Sequence, residues 1–286
     1  MNYEPTLPVK PFLLIVLMVL LGSTQSCKRA SIEVPGSSDF DKEKRELLGD
    51  LIRTSLLESG DFQILPKASP YDTSTYWFLQ TLYDQVTHTM HLDYQSPSYD
   101  RWDKDRNWEV FIIQNDTLKT VFALPAGDLF ISTGLLKALE QDYELYYFLA
   151  FEGALMNEKI LLARLIQEYN SLSLINLLNG EAPANLLTLQ IIREELPHLI
   201  YEDMVVQEID NYTVETICNS SIYESTGILP LLENDSLGFV KWLHTRPSYA
   251  NRHLLVSQLS IETGLDCGDV LTNQDNYKRY VLDVLP

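Results

Sequence analysis

The chain has 286 residues, 45% of them hydrophobic and 21% charged, which suits one sizeable globular domain or two small ones. Its 40 acidic residues against 21 basic ones leave a formal net charge of −19. That balance excludes a nucleic-acid-binding role, because a phosphate backbone repels such a surface.

The one long apolar run, FLLIVLMVLLG over 12–22, follows Lys10. It is shorter than the roughly 20 residues that span a bilayer and fits the apolar core of a secretory signal. Cys27 follows, preceded by Thr24, Gln25 and Ser26. The arrangement is similar to a bacterial lipoprotein signal, in which the cysteine is acylated and becomes the first residue. The usual leucine three positions before that cysteine is Thr24 here, so a simply secreted or uncleaved product is the other reading. The expected division is a signal over 1–26, a tether over 27–40 with linker composition (KRASIEVPGSSDF from Lys28), and a single domain over 41–286. The two remaining cysteines, Cys218 and Cys267, either form one disulfide in an oxidising compartment or stay as buried thiols.

Residues 41–59 place Leu47, Leu48, Leu51, Ile52 and Leu56 at helical spacing, with Gly60 as the stop. A second helix, rich in aromatics, is predicted over 74–92. Residues 108–114 are β-branched and aromatic and predict a strand. Two more strands are predicted over 120–124 and 128–132, around a turn at 125–127. A short helix follows over 134–139. Asp142 is the predicted N-cap of a helix running to about 169. The rest is predicted helical, with breaks near 179–184, 227–230 and 247. Helices, a small sheet and more helices make an α+β domain that is mostly helical.

The stretch Phe122–Leu136 (FALPAGDLFISTGLL) is followed by an acidic spacer and then by a helix containing LAFEGAL. This order resembles the HtpX, BepA and CAAX-prenyl-endopeptidase family of zinc metallopeptidases over about 108–255. The resemblance implies a zincin-like domain, with a small sheet beside the active-site helix. In that family the helix carries His-Glu-x-x-His, whose two imidazoles share one face and reach one zinc ion while the glutamate activates the zinc-bound water. The matching positions here are Phe151, Glu152, Gly153, Ala154 and Leu155. The third ligand belongs to a later Glu-x-x-Ala-Asp stretch, matched here by 206–210, so Val206 stands at the ligand position and Asp210 at the closing aspartate. A further element, His-Pro-Ser-x-x-x-Arg, is matched by Arg246, Pro247, Ser248 and Arg252.

Phe151, Leu155 and Val206 have no lone pair for a metal. Their joint replacement by hydrophobes fits a repacked core, since converging polar ligands around an empty hole would be costly to bury while apolar side chains gain by it. The expectation is therefore no metal and a catalytically inactive, lipid-anchored binding or scaffold protein at the bacterial cell envelope. Glu152 keeps the general-base position but is expected to hydrogen-bond to backbone or to tyrosine hydroxyls, and Asp210 likewise. The alternative is an active metalloendopeptidase. It would bind zinc through a divergent site, such as His88 and His91 three apart on a helix, or would use Glu152 and Asp210 as a metal-free carboxylate pair. His198, His244 and His253 are isolated and suit surface or capping roles.

Two expectations concern close backbone approach. The resemblance implies an edge strand that pairs with extended substrate, which needs no metal, and Asp128–Ser132 is the candidate edge for extended segments of envelope proteins. Gly153 inside a helix is expected to admit another backbone, that of 126–127.

Overall fold

The computed structural model describes residues 36–67, 75–93, 108–180, 184–199, 201–220, 222–223, 254, 256–258, 261 and 274–285. They belong to one compact unit, Val34–Pro286. A 3-10 turn at Ser37–Asp39 leads into it, and Phe40 is buried, so the end of the predicted tether packs onto the domain.

Helix α1 (Lys42–Glu58) is capped by the Asp41 side chain, which accepts from the Lys44 N–H at 3.0 Å. It buries Leu48, Ile52 and Leu56, one residue per turn. Helix α2 spans Thr75–Asp93. Three short strands follow, β1 (Val110–Ile113), β2 (Val121–Ala123) and β3 (Leu129–Ser132), each buried along its whole length. The sheet order is β1-β3-β2. β3 runs parallel to β1, with Phe130 opposite Phe111, and antiparallel to β2, with Phe130 opposite Phe122.

Ser132 ends β3 and caps the four-residue helix α3 (Thr133–Leu136). Helix α4 (Asp142–Asn157) buries every residue except Tyr143, as expected of a helix apolar on all sides at the centre of a domain. Its N-cap is Gln141, one residue before the predicted Asp142. Glu144 accepts from the Gln141 N–H at 3.0 Å, and Asp142 is left to accept from the Tyr223 hydroxyl at 3.0 Å. The helix also ends before the predicted 169. Lys159 takes a left-handed φ of 60° and divides it from α5 (Ile160–Tyr169). Asn170 caps α6 (Ser171–Leu178), then come α7 (Ala184–Glu195), a 3-10 turn (Leu196–His198) and α8 (Asp203–Ser220). A helical turn at Gln274–Tyr277 runs into a π turn at Lys278–Leu282. The predicted breaks at 227–230 and 247 lie outside the described residues.

Strand side chains alternate between faces, and both faces of this sheet are covered. Val110, Ile112, Val121, Ala123, Leu129 and Ile131 join a core shared with α2, α4 and α8. Phe111, Ile113, Phe122, Leu124 and Phe130 join a second core with α1, α5, α6 and α7. The second face is aromatic. Phe130 stacks between Phe111, 4.9 Å away, and Phe122, 5.4 Å away. The domain is mostly helical with one small mixed sheet, as the α+β prediction requires.

Candidate functional site

The site suggested by sequence lies where α4 and α8 meet the aliphatic face of the sheet. Phe151, Leu155 and Val206 belong to one buried apolar cluster. The Tyr147 ring, one turn before Phe151 on α4, stacks on it at 6.4 Å. The three positions therefore do not fit zinc. They offer no donor atom, and the space is filled with hydrocarbon. Among the described residues no group of three or more His, Cys, Asp or Glu side chains is placed to hold a metal.

The polar survivors are engaged elsewhere. Glu152 is buried, and its Oε2 accepts from the Ala123 N–H of β2 at 3.0 Å. Burial pushes its carboxyl up to about 8, with the Ala123 hydrogen bond acting in the opposite sense. The phenols of Tyr83 and Tyr201 are raised by burial first, and then by charges that include Glu152. Asp210 is fully buried on α8 and accepts from the Tyr147 hydroxyl at 2.7 Å. Tyr147 thus ties α4 to α8 beside Phe151. The hydrogen-bond partners of the two carboxyls are thus different, a backbone N–H for Glu152 and a tyrosine hydroxyl for Asp210.

Both expectations about backbone approach are corrected. Asp128–Ser132 is not an edge, because β3 is the central strand and both of its sides are already paired. The outer side of β1 is also occupied. Leu65 donates to the Ile112 carbonyl, Gln114 donates to the Gln63 carbonyl, and the Tyr76 hydroxyl and the Gln80 side chain accept from the Ile112 and Val110 N–H groups. The outer side of β2 is where Glu152 binds Ala123. Gly153 faces α2, where a Cβ would meet Met90 Cε at 3.1 Å and Val86 Cγ1 at 3.3 Å. The glycine that admits Ala126 is Gly49 on α1, whose Cβ would collide with the Ala126 Cβ and lie 2.6 Å from its backbone N.

The segment that carries the family resemblance is held by structural contacts. Gly127 has φ +102°, and a Cβ there would stand 2.5 Å from Trp108 Nε1. Its carbonyl accepts from the Tyr83 hydroxyl at 2.8 Å. Asp128, 1% exposed, pairs with Arg53 at 2.8 Å and accepts from the Glu109 N–H at 3.0 Å, fixing the turn to α1 and to β1. Ser132 accepts from the Thr120 and Leu135 N–H groups and donates to the Leu118 carbonyl.

His88 and His198 are exposed, and His91 lies on α2 with His88. His244, His253, Arg246, Pro247, Arg252, Cys27 and Cys267 lie outside the described residues. Cys218, buried on α8, is disulfide-bonded, and its partner is likewise outside them. The sequence reading missed Tyr147 and the Ala123 N–H. Tyr147 had a usable signal, since it precedes Phe151 by one turn on the same helix face. Compared with protein-family models and with curated proteins, the chain matches none.

Proposed function

We propose that this is a metallopeptidase-like domain, zincin-like in arrangement, that has exchanged metal chemistry for packing. It is held at the cell envelope by a lipid on Cys27 and works there as a non-catalytic binding or scaffold module. The observation that carries this reading is the burial of Phe151, Leu155 and Val206 in one apolar cluster, with the retained Glu152 turned to the Ala123 N–H. A general base of a metallopeptidase needs a polarised water within reach, and here the hydrogen-bond partner of Glu152 is the Ala123 amide, with the Tyr83 and Tyr201 phenols near enough to feel its charge. The buried disulfide at Cys218 supports an oxidising compartment, in keeping with the signal-like segment.

The test is metal content and zinc affinity of the native chain, beside a Phe151→His, Leu155→His, Val206→Glu variant. No zinc in the native chain and zinc bound by the variant is the expected result. Stoichiometric zinc in the native chain, with proteolysis that a chelator abolishes, would overturn the reading.

A further inference from the structure

Among the described residues, helices α6 and α7 carry a group of exposed apolar side chains. Residues 171–192 contain a single charged side chain, Glu181, in a chain whose net charge is −19. Leu172 at the start of α6 is 65% exposed, and on α7 Leu186 is 75%, Leu187 59% and Ile191 36% exposed. Leu187 and Ile191 are four apart and share a helix face, with Leu186 and Gln190 forming the adjacent row. The two helices pack on each other and on α1, and this hairpin exposes four apolar side chains beside Gln190 and Glu194 while its inner side joins the core. Exposed leucines at this density on an otherwise acidic protein mark a contact surface.

The place where the chain enters the domain identifies the partner. Gly36 lies against the first residue of α6, so closely that a Cβ on it would stand 2.9 Å from Ser171 Cβ. Gly36 follows Cys27 by nine residues. Such a stretch reaches at most about 30 Å when fully extended. A lipid on Cys27 therefore keeps the N-terminus of α6 within that distance of the bilayer, and Leu172 is the next residue of the same helix. Anionic headgroups repel the acid excess elsewhere, whereas 171–192 carries only Glu181 and the remaining charges of the hairpin gather at Arg193, Glu194 and Glu195 at the end of α7.

We propose that the exposed side of α6 and α7 is a membrane-contacting surface. Its partner is the headgroup and upper acyl region of a phospholipid bilayer, entered by Leu172, Leu186, Leu187 and Ile191 to the depth of an interfacial helix. The inference rests on the lipid-anchor reading for the nearness of the bilayer, and on the exposed leucines for the contact itself.

The full chain, expressed with its signal, is reconstituted in phosphatidylethanolamine–phosphatidylglycerol vesicles containing spin-labelled lipid. An environment-sensitive fluorophore is attached at Leu187→Cys, or at Asp84→Cys on the other side of the sheet as reference. The expected result is quenching at position 187 at least threefold stronger than at 84, lost when Leu186→Glu and Ile191→Glu are added without a change in the melting temperature. Equal quenching at both positions, or none at either, overturns the inference. Probe–probe self-quenching at 187 without lipid quenching assigns the face to a second copy of the chain and also overturns it. The mass of the peptide containing Cys27 reports the anchor separately. Without an acyl chain the anchor reading fails, and quenching at 187 in vesicle-bound protein then upholds or overturns the surface on its own.

Discussion

The two faces of the small sheet solve the burial problem in different ways. On the aliphatic face α4 and α8 bury four carboxyl groups, Asp142, Glu144, Glu152 and Asp210, and each accepts from a tyrosine hydroxyl or a backbone N–H. On the aromatic face Phe111, Phe122 and Phe130 stack against helices whose shared core is hydrocarbon. The first face holds Phe151, Leu155 and Val206, the positions at which the proposed metallopeptidase resemblance would put zinc ligands. Its buried acids are tolerable because each is hydrogen-bonded. The second face is hydrocarbon throughout, and its helices α6 and α7 also expose apolar side chains outward.

The largest effect separating the faces is expected in the pH dependence of stability. Glu152 ionises at about 8 in the folded chain, against 4.5 for the free side chain. Between those values the folded chain holds a proton that the unfolded chain has released. The associated stability is fully present below pH 4.5 and is lost as pH rises through 8, on the order of 4 kcal/mol in all. Glu152→Gln keeps an acceptor for Ala123 and removes the titration. Denaturant unfolding from pH 5 to 9 should show a falling stability for the native chain and a flatter profile for the variant. Parallel profiles would mean that burial does not hold this carboxyl neutral.

Next in size is a pair of glycine substitutions. Gly49→Ala drives a Cβ into the backbone of Ala126, which is fixed by its turn, and should cost about 3 kcal/mol or more. Gly153→Ala meets Val86 and the end of Met90, a flexible side chain that can shift, and the gain in helix propensity of about 1 kcal/mol offsets that contact. Thermal melts of the two variants should differ widely. Equal losses would contradict the assignment of close backbone approach to α1 rather than to α4.

The smallest effect is expected for Tyr147→Phe. It removes the hydroxyl that donates to Asp210 at 2.7 Å and leaves that buried carboxylate one donor short. A loss of about 1–3 kcal/mol is expected in urea unfolding. A neutral substitution would show that the link between α4 and α8 is carried by packing alone.

The sequence by itself determined most of the elements, though not the division at Lys159 of the helix predicted to run to about 169. Leu47, Leu48, Leu51, Ile52 and Leu56 at helical spacing placed α1, β-branched and aromatic runs placed the three strands, and the Pro-Ala-Gly turn fell between β2 and β3 as predicted. These features rest on near neighbours in the chain, where spacing and side-chain type suffice. The Glu152 and Asp210 partners were legible in kind, as backbone and tyrosine hydroxyl, but not in identity. Only the tertiary structure decided that β3 is central and not an edge, because strand order depends on a parallel pairing with β1 across intervening chain that local pattern does not encode. Only it moved the close approach from Gly153 to Gly49, since that contact joins residues 77 positions apart in sequence, Gly49 and Ala126. It also turned the three hydrophobes at 151, 155 and 206 from an absence of ligands into a filled core, because burial is a property of what packs around a side chain and not of the side chain alone.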